Sequence, residues 1–323
     1  MRVEQKMVLT IRQYTQSAAA EWDRFVEESR NGTFLHKRGY MDYHADRFTD
    51  HSLMCYTKDK LAAILPGHIK DNAFCSHNGL TYGGLLLSND TTAELTLEIF
   101  NAILEYLRRE TSVTKFIYKP TPQIYHRYPC EEDLYALFRN NATLAERKIS
   151  STIKLRDALP FKGRRKLTTA MQSRMQIVED NDFASFWQVL ESRLESKYKT
   201  TPVHSLAEIE LLHSRFPENI RLFRITDEEE NTLAGAILYI TDNVAHLQYS
   251  STTTEGRNKG ALDYLHKYLL TERLADKEYF DFGTSVEDGG RTLNCGLIAY
   301  KEGFGGRAVV YDTYIIDLKE EVE

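Results

Sequence analysis

The sequence is poor in the residues that build metal centres and disulfide frameworks. Its four cysteines, Cys55, Cys75, Cys130 and Cys295, include no CxxC pair, which argues against a zinc knuckle and a disulfide framework. Its ten histidines include no HExxH motif. We therefore expect reduced, mostly buried thiols and no metal cofactor.

Long apolar runs and an excess of positive charge are also missing. No stretch reaches the roughly 18 apolar residues of a membrane-spanning helix, and the opening MRVEQKMVLTIRQY lacks the apolar core of a secretory signal. The net charge of −6 and the pI near 6.0 argue against a chain that coats nucleic acid or an anionic membrane. We expect a cytoplasmic protein whose phosphate contacts are local.

What the sequence does contain is one order of elements repeated in both halves. A helix with a tryptophan is followed by a hairpin, a third strand, a second helix and a closing strand. The hairpins are predicted at 52–70 and 221–241, the third strands at 74–86 and 244–251, the second helices at 94–110 and 260–274, and the closing strands at 115–120 and 279–285. A further helix is predicted at 131–148. We place the boundary near Ser150 and predict domains at 1–150 and 151–323.

The closing strand of each half must pair in parallel with a strand of the antiparallel trio. This predicts an α/β (mixed α+β) protein of two tandem domains, each a mixed, mostly antiparallel sheet flanked by helices. The order of elements resembles that of the acyl-CoA N-acyltransferase (GNAT) fold, and its duplication resembles the FemABX-like acyltransferases. The residues that carry the resemblance are LAGAILYI, HLQYSSTTTEGRNKGALDYL, FDFGTS and NCGLIAYKEGFGG in the second half, and more weakly GTFLHKRGY and PQIYHRYP in the first.

The resemblance implies acyl transfer to an amine, with a strand that splays from its neighbour beside the reacting carbonyl and a helix N-terminus that receives donor phosphate. The segment Arg257, Asn258, Lys259, Gly260 and Ala261 is suited to that second role, because a glycine at a helix start lets a phosphate approach free N–H groups. Leu262 stands where the family has glycine or alanine. A plain helix start with solvated Arg257 and Lys259 is therefore the alternative.

A basic run opens at Lys162 and includes Arg164 and Arg165, and clustered arginines suit a diphosphate. By resemblance, Arg221 matches an arginine of FemX-like enzymes, which act on a nucleotide-linked precursor. Their lysine after the first helix has no match, because Asp42 lies there. We expect this run, Arg221 and Tyr125 to bind the acceptor in a cleft shaped by the first half. The alternative for the run is a solvated face.

The alternation in VAHLQYSS places His246, Gln248 and Ser250 on one face of a strand, where they would line a cleft. The alternative for His246 is a hydrogen-bonded histidine of the core. Asp281 is interpreted as a residue that caps or orients a neighbouring loop, and a catalytic role is the alternative. The attacking amine must lose a proton, and His246 and Glu255 are the candidate bases.

Tyr300 and Lys301 match the aromatic–lysine pair that FemX-like proteins carry in the loop beside the acyl donor. The resemblance implies that Lys301 stabilises charge on the carbonyl oxygen or anchors donor phosphate. We expect transfer from acyl-CoA, such as acetyl-CoA, to an amine of a sugar or peptide-like acceptor that is nucleotide- or lipid-linked. Two alternatives are transfer from aminoacyl-tRNA to a cell-wall precursor, and a non-catalytic module that binds a nucleotide or peptide.

Overall fold

The computed structural model describes residues 9–163, 168 and 172–319. The chain divides into unit 1, formed by residues 1–148, 289–291 and 310–323, and unit 2, formed by residues 149–288 and 292–309. The predicted second domain, 151–323, differs from unit 2 at its end. Residues 314–317 of the last strand pair antiparallel with Lys115–Tyr118, and this pairing places the C-terminal strand in unit 1.

Unit 1 contains two sheets and a long helix. Its elements are β1 (Leu9–Gln13), α1 (Ala19–Glu28), α2 (Arg38–Met41), β2 (Leu53–Thr57), β3 (Lys60–Leu65), β4 (His68–Lys70), β5 (Ala73–Cys75), β6 (Leu86–Leu87), α3 (Ala93–Glu110), β7 (Lys115–Tyr118), α4 (Glu132–Arg139) and the first part of β8 (Thr143–Lys154). The sheet orders are β1-β2-β3-β6 and β4-β5-β7 followed by the last strand, β16 (Arg307–Asp317).

The core of unit 1 forms around α3. Ile99, Ile103 and Leu107 recur at helical spacing and are fully buried against strand residues such as Phe116 and Tyr118. The Thr92 hydroxyl caps the helix by accepting from the Leu95 N–H at 3.2 Å. Sequence periodicity was sufficient to predict this helix, which spans Ala93–Glu110.

Unit 2 is built on one mixed sheet. Its elements are the rest of β8, β9 (Gln176–Asp180), α5 (Phe183–Tyr198), α6 (Leu206–Arg215), β10 (Ile220–Thr226), β11 (Thr232–Ile240), β12 (Val244–Thr252), α7 (Thr254–Lys259), α8 (Ala261–Tyr268), a π-helical turn (Leu269–Arg273), β13 (Tyr279–Thr284), β14 (Val286–Glu287), β15 (Thr292–Leu293), α9 (Cys295–Glu302) and the start of β16. The strand order is β8-β13-β12-β11-β10-β9, and only the β12–β13 pair in it is parallel.

Helices cover both faces of this sheet. On one face, Leu265 of α8 packs into a cluster with Leu238 and Phe280. On the other face, α5 lies so close to β11 that a Cβ on Gly235 would come within 2.4 Å of the Phe186 ring, so the glycine permits the approach. The mixed sheet between helices confirms the predicted fold class.

Two predicted elements are wrong in part. The strand predicted at 74–86 is reduced to β5 and the two residues of β6, with turns between them. The helix predicted at 131–148 ends at Arg139, and Thr143 begins β8, because Asn140 and Asn141 terminate the helix and Asn141 adopts a φ of 54°.

The four cysteines are free thiols, three of them buried and Cys295 exposed, as predicted. Burial raises the pKa of the Cys130 thiol to about 12. Within the described residues, no helix is both long and apolar enough to cross a membrane.

Candidate active site

Strands β12 and β13 pair over only part of their length. Val244, Ala245 and His246 align in parallel with Tyr279, Phe280 and Asp281, respectively. The strands run on to Thr252 and Thr284 without further mutual pairing among the described residues. We call the gap between residues 247–252 of β12 and residues 282–284 of β13 the wedge. A splay at this place is what the resemblance implied.

A histidine–aspartate pair stands where the wedge begins. His246 Nδ1 lies 2.9 Å from Asp281 Oδ2, and Asp281 is fully buried. Its other oxygen accepts from the Ser150 hydroxyl, from the Thr152 hydroxyl at 3.1 Å and from the Gly283 N–H at 3.1 Å. A carboxylate accepts and does not donate, so the hydrogen between the two residues belongs to Nδ1. The neutral ring then has Nε2 as its basic nitrogen.

A β-bulge changes which residues of β12 share a face. Ile237 lies opposite Tyr249 and Leu238 lies opposite Leu247, so Gln248 is the extra residue. The prediction that His246, Gln248 and Ser250 form one stripe is therefore wrong. After the bulge, Tyr249 lies on the α5 face together with His246, and Ser250 lies on the α8 face.

Tyr249 is held firmly on that face. Its hydroxyl is 2.6 Å from His204 Nδ1, and its ring meets Trp187 of α5 edge-on at a centroid distance of 5.4 Å. Burial raises the pKa of Tyr249. Tyr249 was not predicted from the sequence, because an unseen bulge reverses the alternation on which that prediction depended. His204 was not predicted either, because it lies outside the strand, just before α6.

Lys301 lies in the last turn of α9, and the prediction of a loop lysine is wrong. Its side chain is only 6% exposed, and its Nζ donates to the carbonyl oxygens of Gly283 at 2.7 Å and Thr284 at 2.8 Å. Burial lowers the pKa of Lys301 to about 8, and the negative charge of Asp281 opposes that shift. The lysine thus holds the end of β13, at the edge of the wedge.

Tyr300 points away from its neighbour in sequence, because consecutive helical residues are about 100° apart. Its hydroxyl donates to Asp263 Oδ1 at 3.0 Å and lies 3.2 Å from His266 Nδ1. Tyr300 therefore connects α9 to α8, while Lys301 connects α9 to β13.

The segment Arg257–Ala261 joins two helices. The Thr253 hydroxyl caps α7, Gly260 adopts a φ of 75° between the helices, and α8 begins at Ala261. Arg257 and Asn258 are exposed, and Lys259 pairs with Glu255 at 2.7 Å. A helix does start at Gly260 as predicted, since Gly260 is the N-cap of α8, but α7 comes directly before it and Gly260 forms the kink between the two helices. Glu255 is exposed and does not join the described hydrogen bonds of Asp281.

The predicted acceptor residues lie on different elements, and each described one has its own local partners. The Lys162 N–H donates to the Gly303 carbonyl at 2.8 Å, and Arg221 pairs with Glu179 of the edge strand β9. Tyr125 is a buried residue of unit 1 whose hydroxyl lies 2.9 Å from that of Tyr311. Arg164 and Arg165 lie outside the described residues. Acceptor binding by this set stays a prediction.

The comparisons with known proteins bear on the fold of the chain. Residues 162–302 match the family model of an acetyltransferase (GNAT) domain. The chain has a GNAT/FemX-like fold. No curated protein matches the sequence. The described part of the chain holds no group of three or more histidine, cysteine, aspartate or glutamate residues that could bind a metal ion.

Solved structures share this GNAT/FemX-like fold over nearly the whole chain. A crystal structure of FemX superimposes with a TM-score of 0.63 at 10% identity, covering 95% of this chain and 97% of FemX. A tandem GNAT protein from the clavulanic acid biosynthesis pathway gives a TM-score of 0.55 at 10% identity, covering 98% of this chain and 100% of its own. L-PGS from Bacillus licheniformis gives a TM-score of 0.58 at 12% identity, covering 94% of this chain and 93% of its own.

Proposed function

We propose that this protein is an N-acyltransferase that moves an acyl group from a coenzyme A thioester to an amine. The observation that carries the proposal is the pairing of His246 with the buried Asp281 where β12 and β13 separate. A GNAT/FemX-like fold supports it.

The wedge provides a place for the donor, because strand amides of β12 that do not pair with β13 can donate to an acyl carbonyl. The amine nitrogen attacks the thioester carbon, an N–C bond forms and the C–S bond breaks. His246 Nε2 takes the proton that the amine loses, and the thiolate leaves with the electron pair of the C–S bond. Asp281 keeps the imidazole in the required tautomer and stabilises the imidazolium.

The donor phosphates would lie at Arg257–Ala261, where Arg257 is exposed and Lys259 is half-buried. The acceptor would be an amine of a sugar or peptide-like molecule, with Lys162, Arg164, Arg165 and Arg221 of unit 2 as its candidate contacts. The alternative donor is aminoacyl-tRNA. The net charge of −6 favours coenzyme A, because binding along a tRNA backbone needs many cations.

The test compares His246→Gln with the wild-type chain. Acetyl-CoA binding is measured by calorimetry, and acetyl transfer to a panel of amino sugars and short peptides is measured by mass spectrometry. We expect turnover to fall about 100-fold or more, since general-base catalysis contributes at least that much, with acetyl-CoA affinity nearly unchanged.

His213→Gln is the matched control, because His213 also lies in unit 2 and its Nδ1 is 2.7 Å from the Ile220 carbonyl, on α6 rather than at the wedge. Unchanged turnover in His246→Gln would remove His246 from the reaction. Binding of aminoacyl-tRNA without binding of acetyl-CoA would favour the alternative donor. Binding of nucleotides with no transfer would favour the non-catalytic module.

A further inference from the structure

We propose that Lys301 is a positioning residue that keeps the wedge open. Its Nζ occupies carbonyl groups of β13 that would otherwise accept hydrogen bonds from β12 if the parallel pairing of the two strands continued. The catalytic consequence rests on the proposed function, whereas the structural role does not. The proposal replaces a direct role of Lys301 at the reacting carbonyl.

The first support is the direction of the two carbonyls. Successive carbonyls of a regular strand point to opposite sides. Here the carbonyls of Gly283 and Thr284 both reach the single Nζ of Lys301, at 2.7 and 2.8 Å. Gly283 makes this possible with a φ of 74°, a conformation that glycine adopts without steric cost. Pairing with β12 has already stopped at Asp281, two residues earlier.

The second support is the burial of the ammonium. Among the described residues, Lys301 forms no ion pair with a carboxylate, although 94% of its surface is buried. A buried charge without a carboxylate partner is costly. The two carbonyls of β13 are its described hydrogen-bond partners, so the lysine and the end of β13 depend on each other.

The third support is that Gly283 connects Lys301 to the histidine–aspartate pair. Its N–H donates to Asp281 Oδ1 at 3.1 Å, and its carbonyl accepts from Lys301. Without Lys301, the carbonyl of Gly283, a half-buried residue, would lose its described donor and could accept a hydrogen bond from another. The amides of β12 on the other side of the wedge are the donors that a parallel ladder would use. The wedge would then close, and those amides would no longer be available to a donor carbonyl.

Hydrogen–deuterium exchange of the chain without ligand tests the structural role. In Lys301→Met, exchange at residues 247–251 should slow about tenfold, which is about 1.4 kcal/mol of protection, because the amides that gain a strand hydrogen bond open less often. Exchange at Ile220–Thr226 of β10 is measured in the same experiment and shows whether the substitution destabilises the fold as a whole. Lys301→Gln is the second variant, which keeps one amide donor group and should shift exchange in the same direction by less. Lys301→Arg keeps several donors and should stay near wild type.

Lys277→Met is the matched control. Lys277 Nζ also donates to two successive carbonyls, those of Thr241 at 3.1 Å and Asp242 at 3.3 Å, but in the turn before β12 begins. This variant should leave exchange at 247–251 unchanged. Exchange at 247–251 that stays equal or becomes faster in both Lys301→Met and Lys301→Gln would overturn the proposal.

Binding and turnover separate this proposal from the proposed function. Lys301→Met should weaken acetyl-CoA binding about tenfold, the loss of about one hydrogen bond, and should leave the pH profile of turnover in place because His246 is intact. A fall in turnover with acetyl-CoA affinity and exchange both unchanged would instead place Lys301 at the reacting carbonyl and overturn the positioning role. Slowed exchange in a chain that never transfers acetyl groups would support the role of Lys301 and contradict the proposed function.

Discussion

Lys301 Nζ lies 2.7 Å from the carbonyl oxygen of Gly283, a residue whose own N–H donates to Asp281. One backbone position therefore links the buried lysine to the pair formed by Asp281 and His246. Substitutions in such a network do not add, because each one changes the partners of the next. The following experiments treat the members separately.

Asp281→Asn should lower turnover about 100-fold or more if His246 is the base, because the carboxylate that orients Nδ1–H and stabilises the imidazolium is lost. Acetyl-CoA affinity should change little. The measurement is turnover and calorimetry on the same preparation. Asp263→Asn is the control, since Asp263 accepts from Tyr300 at 3.0 Å, away from the wedge. Equal turnover in Asp281→Asn and the wild type would contradict the proposed role of the pair.

Two helical glycines should respond to alanine in opposite directions. A Cβ on Gly256 would come within 2.1 Å of the Leu233 carbonyl, whereas the nearest atom to one on Gly296 is 3.8 Å away. Gly256→Ala should destabilise the protein by about 1 to 3 kcal/mol through backbone overlap. Gly296→Ala should be neutral or stabilise it by up to about 1 kcal/mol through helix propensity. Urea unfolding followed by circular dichroism checks both, and a stable Gly256→Ala variant would show that α7 does not pack closely on β11.

Unit 1 should lose stability in mild acid. His68 and His77 are buried side by side, at a ring distance of 5.3 Å, and burial lowers the pKa of His68 to about 4 and of His77 to about 2. Below the ordinary histidine pKa of about 6.5 the unfolded chain binds protons that the folded chain does not. The free energy of unfolding should therefore fall as the pH is lowered from about 6.5 towards 4.

The chain offers a reporter for this experiment, because it has two tryptophans, Trp22 in unit 1 and Trp187 in unit 2. In a Trp187→Phe background, Trp22 fluorescence reports unit 1 alone. Adding His68→Phe should reduce the loss of stability between pH 6.5 and 4 by on the order of 1 to 3 kcal/mol, while His77 still contributes its share. If the free energy of unfolding depends on pH in the same way with and without His68, another group causes the loss of stability in acid.

Arg257→Gln should weaken acetyl-CoA binding several-fold, and the affinity of the wild type should fall with added salt, because exposed cations and phosphates are screened. Calorimetry at two salt concentrations measures both effects. Arg273→Gln is the control, an arginine of the same unit that pairs with Glu179 at 3.0 Å. Salt-independent binding, or equal losses in both variants, would remove the segment Arg257–Ala261 from the donor site.

The sequence by itself determined the fold class and most of the elements of both halves. Apolar residues at helical spacing predicted α3, and charged turns between alternating strands predicted the hairpins, because both signals act over a few neighbouring residues. It also placed His246 and Lys301 among the candidates.

Tertiary structure decided which face each candidate occupies and what it contacts. The bulge at Gln248 arises from pairing with β11 and moves Tyr249 onto the face of His246. The kink at Gly260 and the capture of two β13 carbonyls by Lys301 depend on packing between segments distant in sequence. A one-residue shift in strand pairing exchanges the faces of all later side chains. Local alternation contains no record of such a shift, so the sequence suggested His246 and Lys301 as candidates but could not predict Tyr249, His204 or the arrangement of these residues.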